Sequence, residues 1–355
     1  MGYCTKRLLP GHHRASTTTS STAGEEFVAP HRRAWHPSSD GAAGRSNVRG
    51  DSIHHHQNQN PNPGRSGAKS MKICRFTLKS DLQASDPRLG VMEEGGVRDV
   101  TAVAERLPAQ RWPLPPGDLL IAHLPSLRAP MIELARRAPL IDLADIRLLA
   151  PVANPGKFIC GVGNWSHHKA PLGLMGFLFK ASSALAGAGE GVQIRWTDRT
   201  TVHEPELAIV IGKQCTNVSE SEALNYVAGY CCALDMTMKE QKEFFCFCKS
   251  FDSYGVLGPC LVTADEIPDP SALSYRFFVN GEPRGQRNFS DLTGSPAQLV
   301  AFASTSMTLY PGDVILSGAA DVAPVVPGDT MTLDIPRIGR MDVAVSVSPN
   351  ARAVK

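Results

Sequence analysis

Glu204-Pro205-Glu206-Leu207-Ala208-Ile209-Val210-Ile211-Gly212 joins an E-x-E to an unbroken apolar run closed by glycine. Such a run is fit for a buried strand. Strand side chains alternate faces, so Glu204 and Glu206 point the same way. Val227-Ala228-Gly229-Tyr230-Cys231-Cys232-Ala233-Leu234 is a second such run, and it ends in Asp235. Two carboxylates on one strand and a third at the end of a neighbouring strand predict an oxygen-rich pocket. Three carboxylates cannot share a dry interior without a cation to offset them. An all-oxygen donor set suits Mg²⁺ or Mn²⁺, with Ca²⁺ as a further candidate, better than Zn²⁺. On spacing alone an E-x-E at a strand start is more often a solvated edge. The surrounding sequence decides between the two readings.

Outward from this pair of runs, short strands dominate. Lys72 to Leu78 and Lys157 to Val162 read as strands, and Val91 to Val100 as a hairpin with glycines at its turn. Asn280-Gly281 after Tyr275–Val279 is the strongest hairpin signal. Val314–Ser317, Thr330–Ile335 and Met341–Val347 are further strands. Helices are few: Leu119 to Arg137, a turn over Ser219–Tyr226 with Ser219 and Glu222 at capping-box spacing, and a helix opened by Ser295-Pro296 and ending near Thr308. Helices that come singly between strands argue for an α+β, mainly β, mixed and mostly antiparallel architecture. Pro151 to Pro155 is a connector, which divides a small domain over 71–152 from a larger one over 153–350.

The 355 residues carry a net charge of +2, unevenly spread. Residues 1–70 hold nine Lys/Arg, four Asp/Glu, seven of the eleven histidines and Ser/Thr-rich runs with few apolar residues. That composition predicts a disordered tail, with Met71 as an alternative start. It has no apolar core of a secretory signal. The remainder is slightly acidic and shows no nucleic-acid footprint, and no stretch reaches the length of a membrane span. Nine cysteines without a C-x-x-C pair read as small buried hydrophobes in a reducing, cytoplasmic compartment. The C-x-C of Cys246 and Cys248 is a weak zinc or redox motif.

Six blocks then occur in order: Ile159 to His168, Phe179-Lys180-Ala181-Ser182-Ser183, Glu204 to Lys213, Ala228-Gly229-Tyr230 through Asp235, Lys249-Ser250-Phe251-Asp252 with Leu257-Gly258-Pro259, and Pro311 to Gly318. Together, from about Lys157 to Val347, they resemble the fumarylacetoacetate hydrolase family. The resemblance implies a mixed β-roll preceded by a small N-terminal β domain, assembled as a homodimer. It implies that Glu204, Glu206 and Asp235 hold one Mg²⁺ or Mn²⁺. It also implies a small 2-oxo acid or β-diketo acid substrate, as met in aromatic-compound catabolism.

By the same resemblance, His168 is the catalytic histidine and Lys249 the active-site lysine. Lys180, Lys239 and Ser317 are substrate-binding candidates. His167 stands beside His168, and the spacing from Asn164 favours His168. His203, next to Glu204 on a strand, faces away and is structural. One departure matters. Many C–C hydrolases of the family place Glu three residues after the histidine, and this chain has Pro171. Hydrolysis of an acylpyruvate-type C–C bond is the leading expectation. The missing carboxylate favours an isomerase or decarboxylase of unsaturated 2-oxo diacids (2-hydroxyhepta-2,4-diene-1,7-dioate type) as the alternative, with a ureidoglycolate-type lyase third. A catalytically silent metal-binding relative is the rival of another class. The intact carboxylate set argues against it, because a charged pocket is costly to keep.

Overall fold

In the computed structural model the apolar run folds as the strand Pro205–Ile211, buried at every position. Leu207, Ile209 and Ile211 enter one apolar cluster, and Ala208 and Val210 a second on the opposite face. Burial on both faces explains why the run shows no polar alternation. Residues 71–81, 86–168, 171–239 and 245–353 are described, all within one compact unit, Arg65–Lys355. The expected tail over 1–70 lies outside them.

Pro205–Ile211 pairs antiparallel with Val227–Asp235 on one side and Val314–Leu316 on the other. The sheet continues through Gly255–Thr263 and Lys72–Leu78 in one direction. In the other it runs through Phe158–Gly161 to Phe177–Lys180 at the edge. Twelve strands join this sheet, most of them antiparallel. A three-stranded sheet (Thr237–Met238, Thr201–His203, Ala323–Val325) and a five-stranded sheet (Glu282–Asn288, Ser274–Val279, Thr330–Ile335, Gly339–Arg352, Val192–Trp196) complete a mixed β-roll. The expected α+β, mainly β class is the one observed.

The Leu119–Arg137 helix matches its expected span. Its Ile121, Leu124, Leu127 and Met131 pack in the same cluster as Ala208, Val210 and Ala233. Residues on both sides of the 151–155 connector therefore share one sheet and one core. The Asp118 carboxylate caps the helix at Ile121 N–H and also accepts from Ala153 and Asn154, which ties the connector to it. Asn280 (φ 54°) and Gly281 (φ 81°) form the expected hairpin turn, and Ser295 and Gln298 complete a capping box. Ser219 does not: its hydroxyl bonds the Glu222 carboxylate at 3.1 Å, and the helix behind it lasts one turn. Among the described residues no helix is long and apolar enough to cross a membrane.

Candidate metal centre and active site

Register places the three carboxylates. Glu206 lies opposite Ala233, so Asp235, two residues on, shares its face. Asp235 N–H donates to the Glu204 carbonyl at 2.9 Å, which closes the ladder at the point where the two acids meet. One oxygen of each carboxylate lies within 4.8 Å of the others, and all three residues are buried. That spacing is one a single cation can span.

Two lysines from distant segments stand among the acids. Lys249 Nζ donates to Glu204 Oε2 at 2.7 Å, Asp235 Oδ2 at 2.6 Å and Thr237 Oγ1 at 2.7 Å. Lys180 Nζ donates to Asp235 Oδ1 and to the Met236 carbonyl, and its side chain is 0% exposed. Lys180 reaches this depth past Gly255, where a Cβ would lie 2.4 Å from the Phe158 ring and 3.1 Å from Lys180 Cε. Glu206 Oε2 accepts from Gly318 N–H at 2.5 Å, which Gly318 presents at a φ of +94°.

These contacts set the protonation states. Burial pushes the Glu206 carboxyl well above its ordinary value, and the Asp235 charge adds to the push. Burial pushes Asp235 up as well, but Lys180 and Lys249 outweigh it and bring Asp235 down to about 2. Burial favours a neutral Lys249, yet Asp235 and Glu204 overcome that and hold its pKa well above the ordinary lysine value. The physical pattern is a carboxylate cluster short of positive charge at Glu206 and well supplied at Asp235.

A cavity of about 340 Å³ opens over this floor. Its wall includes Cys160, His168, Leu178, Lys239, Phe245 and Val322. His168 lines it and His167 does not; the two rings lie 4.1 Å apart. Partial burial, with the His167 ring beside it, lowers the His168 pKa. Lys239 stands at the mouth, 45% exposed and 3.8 Å from Glu204 Oε1. Burial pushes the Cys160 thiol far up, so it lines the cavity in protonated form.

Two expected substrate contacts take other places. Ser317 is fully buried and does not line the cavity; its hydroxyl accepts from Leu207 N–H at 3.0 Å. A Ser at the end of an inner strand turns to the adjacent strand because its backbone donor would otherwise be unmet. Lys180 likewise lies behind Asp235 as a counter-ion, away from the cavity surface. His203 is buried against the Phe277 ring at 4.5 Å, and burial lowers its pKa to about 4. Cys246 is exposed and Cys248 buried; seven of the eight described cysteines are buried and all eight are free. Pro171 is exposed at the start of the Leu172–Met175 helix. Among the described residues the cavity wall has no carboxylate beyond the three on its floor. Glu190 faces elsewhere, accepting from Gly187 N–H at 2.6 Å.

Sequence reasoning passed over Asn164 and Trp165 as more than spacing marks. The Asn164 amide donates to the Gly294 and Ser317 carbonyls at 2.9 Å each and accepts from Gly294 N–H. Trp165 Nε1 donates to the Gly318 carbonyl at 2.7 Å. They pin the turn that carries His168 to the segment that supports Glu206. A polar Asn directly after an apolar strand and Gly-Val-Gly was the available signal.

The sequence profile described as "Fumarylacetoacetate (FAA) hydrolase C-terminal" matches residues 160–346. The chain belongs to the fumarylacetoacetate hydrolase family. It is 46% identical over 293 residues to the maleylpyruvate hydrolase of Aquipseudomonas alcaligenes, covering 78% of this chain and 99% of that one. The crystal structure of maleylpyruvate hydrolase from Sphingobium sp. SYK-6, in complex with manganese(II) and pyruvate, superposes with a TM-score of 0.68 at 33% identity. That match covers 78% of this chain and all of the other. A 2-hydroxyhepta-2,4-diene-1,7-dioate isomerase from Mycobacterium marinum superposes with a TM-score of 0.60 at 26% identity, over 79% of this chain and all of the other. Family membership thus accounts for the order of the six sequence blocks.

Proposed function

We propose that the chain is a divalent-metal-dependent hydrolase that cleaves the C–C bond of an acylpyruvate, with maleylpyruvate as the first candidate. The observation that carries this reading is the meeting of Glu204, Glu206 and Asp235 within 4.8 Å under a cavity that His168 also lines. Its support from similarity is the pair of maleylpyruvate hydrolases.

The donor set fits a hard cation. It offers oxygen ligands alone, from three buried side chains on backbone fixed by the sheet. Mg²⁺ and Mn²⁺ suit such a site, in which a few carboxylates leave room for water and substrate. Three carboxylates against two buried ammonium groups leave the floor at a formal charge of −1. With a divalent ion bound and all three carboxylates ionised, the floor would carry +1, which one carboxylate of an anionic substrate would neutralise. When bound, the ion supplies Lewis-acid stabilisation of charge on the 2-oxo oxygen.

The chain's own residues do the rest. His168, neutral to lower pH than an ordinary histidine, takes a proton from the attacking water. The water oxygen bonds to the acyl carbon, and the bond from that carbon to the pyruvyl methylene breaks. Lys249, kept protonated by Asp235 and Glu204, lines the same cavity and in this scheme returns a proton to the methylene carbon. From maleylpyruvate and water the products are maleate and pyruvate. Lys239 at the mouth meets the distal carboxylate, while Leu178, Phe245 and Val322 cover the chain between the two ends. Lys180 and Ser317 hold the floor and touch no substrate in this scheme.

Isomerisation of an unsaturated 2-oxo diacid is the second reading. Pro171 favours it, because a histidine without a carboxylate partner can shuttle protons yet is a weaker base toward water. One assay separates the two. Purified protein with Mg²⁺, Mn²⁺ or EDTA is given maleylpyruvate, acetylpyruvate, oxaloacetate and an unsaturated 2-oxo diacid, and pyruvate release is followed. Metal-dependent pyruvate release is expected. In Glu206→Ala both metal binding and turnover should be lost, turnover by about a thousandfold or more. An isomeric product without pyruvate would favour the second reading, and turnover indifferent to EDTA would sink both.

A further inference from the structure

The segment Ser317–Ala323 runs beside the cavity and contributes Ala319 and Val322 to its wall. Its first part gives Gly318 N–H to Glu206. Its far end, Ala323, pairs with His203, the neighbour of Glu204. Glu206 is thus bonded to this segment directly, and Glu204 is joined to it through its chain neighbour His203.

Between the two ends stands Asp321, and a hairpin is shaped to receive it. Tyr275 donates its hydroxyl to Asp321 Oδ2 at 2.7 Å. Arg287 Nη2 donates to Oδ1 at 2.6 Å, and its Nε lies 3.2 Å from both oxygens, a forked pairing. Gly285, between these two on the hairpin, leaves the space: a Cβ there would lie 2.2 Å from Asp321 Oδ2. The hairpin's first strand, Ser274–Val279, reaches the segment's other contacts. The Tyr275 ring packs edge-on to Trp165, which donates to the Gly318 carbonyl, and the Phe277 ring packs on His203.

We propose that Asp321, clamped by Tyr275 and Arg287, is a positioning residue for the metal centre. It holds the Gly318 N–H on Glu206 and the Ala323–His203 pairing beside Glu204. This rests on the reading that Glu204, Glu206 and Asp235 bind a divalent ion. The physical reason is that two buried acids in one site repel one another, so their oxygens keep a fixed separation only where outer contacts hold them. Outer contacts made directly to metal ligands, as Gly318 N–H makes to Glu206, change metal affinity about 10- to 100-fold, which bounds the effect of a clamp acting through them.

The test is direct Mn²⁺ binding to the full chain, read by the paramagnetic resonance signal of free Mn²⁺. Variants are Arg287→Ala, Arg287→Lys, Tyr275→Phe, Arg276→Ala and Glu206→Gln. Arg287→Ala should weaken Mn²⁺ binding, by at most about 100-fold. Arg287→Lys should fall between, since lysine keeps the charge and loses the fork. Arg276, on the same hairpin, is paired with Asp334 at 2.5 Å outside the clamp, so Arg276→Ala should bind as the parent does. At saturating Mn²⁺ the clamp variants should recover the parent's kcat, with only the half-saturating metal concentration shifted. A residue that merely stabilised the fold would lower the melting temperature and leave the affinity of the folded fraction unchanged. If Arg287→Ala fails to fold, Tyr275→Phe, which removes one hydrogen bond, carries the test with about a tenfold loss or less. Parent affinity in Arg287→Ala or, failing that, Tyr275→Phe, beside lost binding in Glu206→Gln, overturns the clamp alone. Parent affinity in Glu206→Gln overturns the metal reading and the clamp with it.

Discussion

On the floor of the cavity Glu206, Asp235 and Lys180 are each at most 5% exposed, and the two acids stand on paired inner strands of the large sheet. At the rim His168 and Lys239 are exposed, on a single turn of 3₁₀ helix and just past a two-residue strand. The difference separates two jobs. Floor positions are fixed by ladder hydrogen bonds and by charge balance, so they can hold an ion at constant geometry. Rim positions are fixed by a few side-chain pins such as Asn164 and Trp165, so they can vary the reaction without disturbing the floor.

The division can be broken most directly at Lys180. Lys180→Met leaves Asp235 short of a buried partner, which should destabilise the chain by about 3–5 kcal/mol in urea unfolding. Acid sensitivity should change too. The native Asp235 pKa, about 2, lies below its unfolded value, so its charge stabilises the fold above the ordinary aspartate range. That stabilisation is lost as pH falls toward 2, and in the variant the loss should begin at higher pH. A variant as stable as the parent would mean that the floor is not a balanced charge unit.

His168→Asn tests the other region. Turnover should fall about 10²- to 10⁴-fold while Mn²⁺ affinity and melting temperature stay at the parent values. In the parent, kcat/KM should hold as pH drops through 6.5 and fall only below it, because the His168 pKa in the free protein is lowered. The variant should lack that acid limb. A change in metal affinity here would join rim to floor.

The smallest effect belongs to Lys239. Lys239→Ala removes a half-exposed pair with Glu204, so stability should change by less than about 1 kcal/mol. The KM for a dicarboxylate such as maleylpyruvate should rise about tenfold, the value of one charge-assisted contact of roughly 1.5 kcal/mol. The KM for acetylpyruvate, with no distal carboxylate, should stay put. Equal shifts for both would move Lys239 from the distal end to the floor.

The acids were legible because their information is local. Period-two alternation aligns Glu204 with Glu206, and the apolar run to Leu234 sets Asp235 at a strand end. The Leu119–Arg137 helix, the Asn280-Gly281 hairpin and the longer strands were legible for the same reason, whereas short strands such as Ile146–Leu149 and Val192–Trp196 were not read. Ser317 and Lys180 show where local reading stops. Each sits in a block that resembles a substrate-binding motif, yet Ser317 faces Leu207 and Lys180 faces Asp235. Which way they turn depends on strand order and on Gly255, which leaves room for Phe158 and Lys180.

By itself the sequence determined the carboxylate set, the β-rich class and the histidine-bearing turn, because periodicity and turn chemistry act over a few residues. Only the tertiary structure decided what neutralises those carboxylates and that Asp321 is clamped by Tyr275 and Arg287. Those contacts join residues from 14 to 55 positions apart in sequence. Burial makes each of them matter, since a charge removed from water must find its partner in whichever segment the sheet brings beside it.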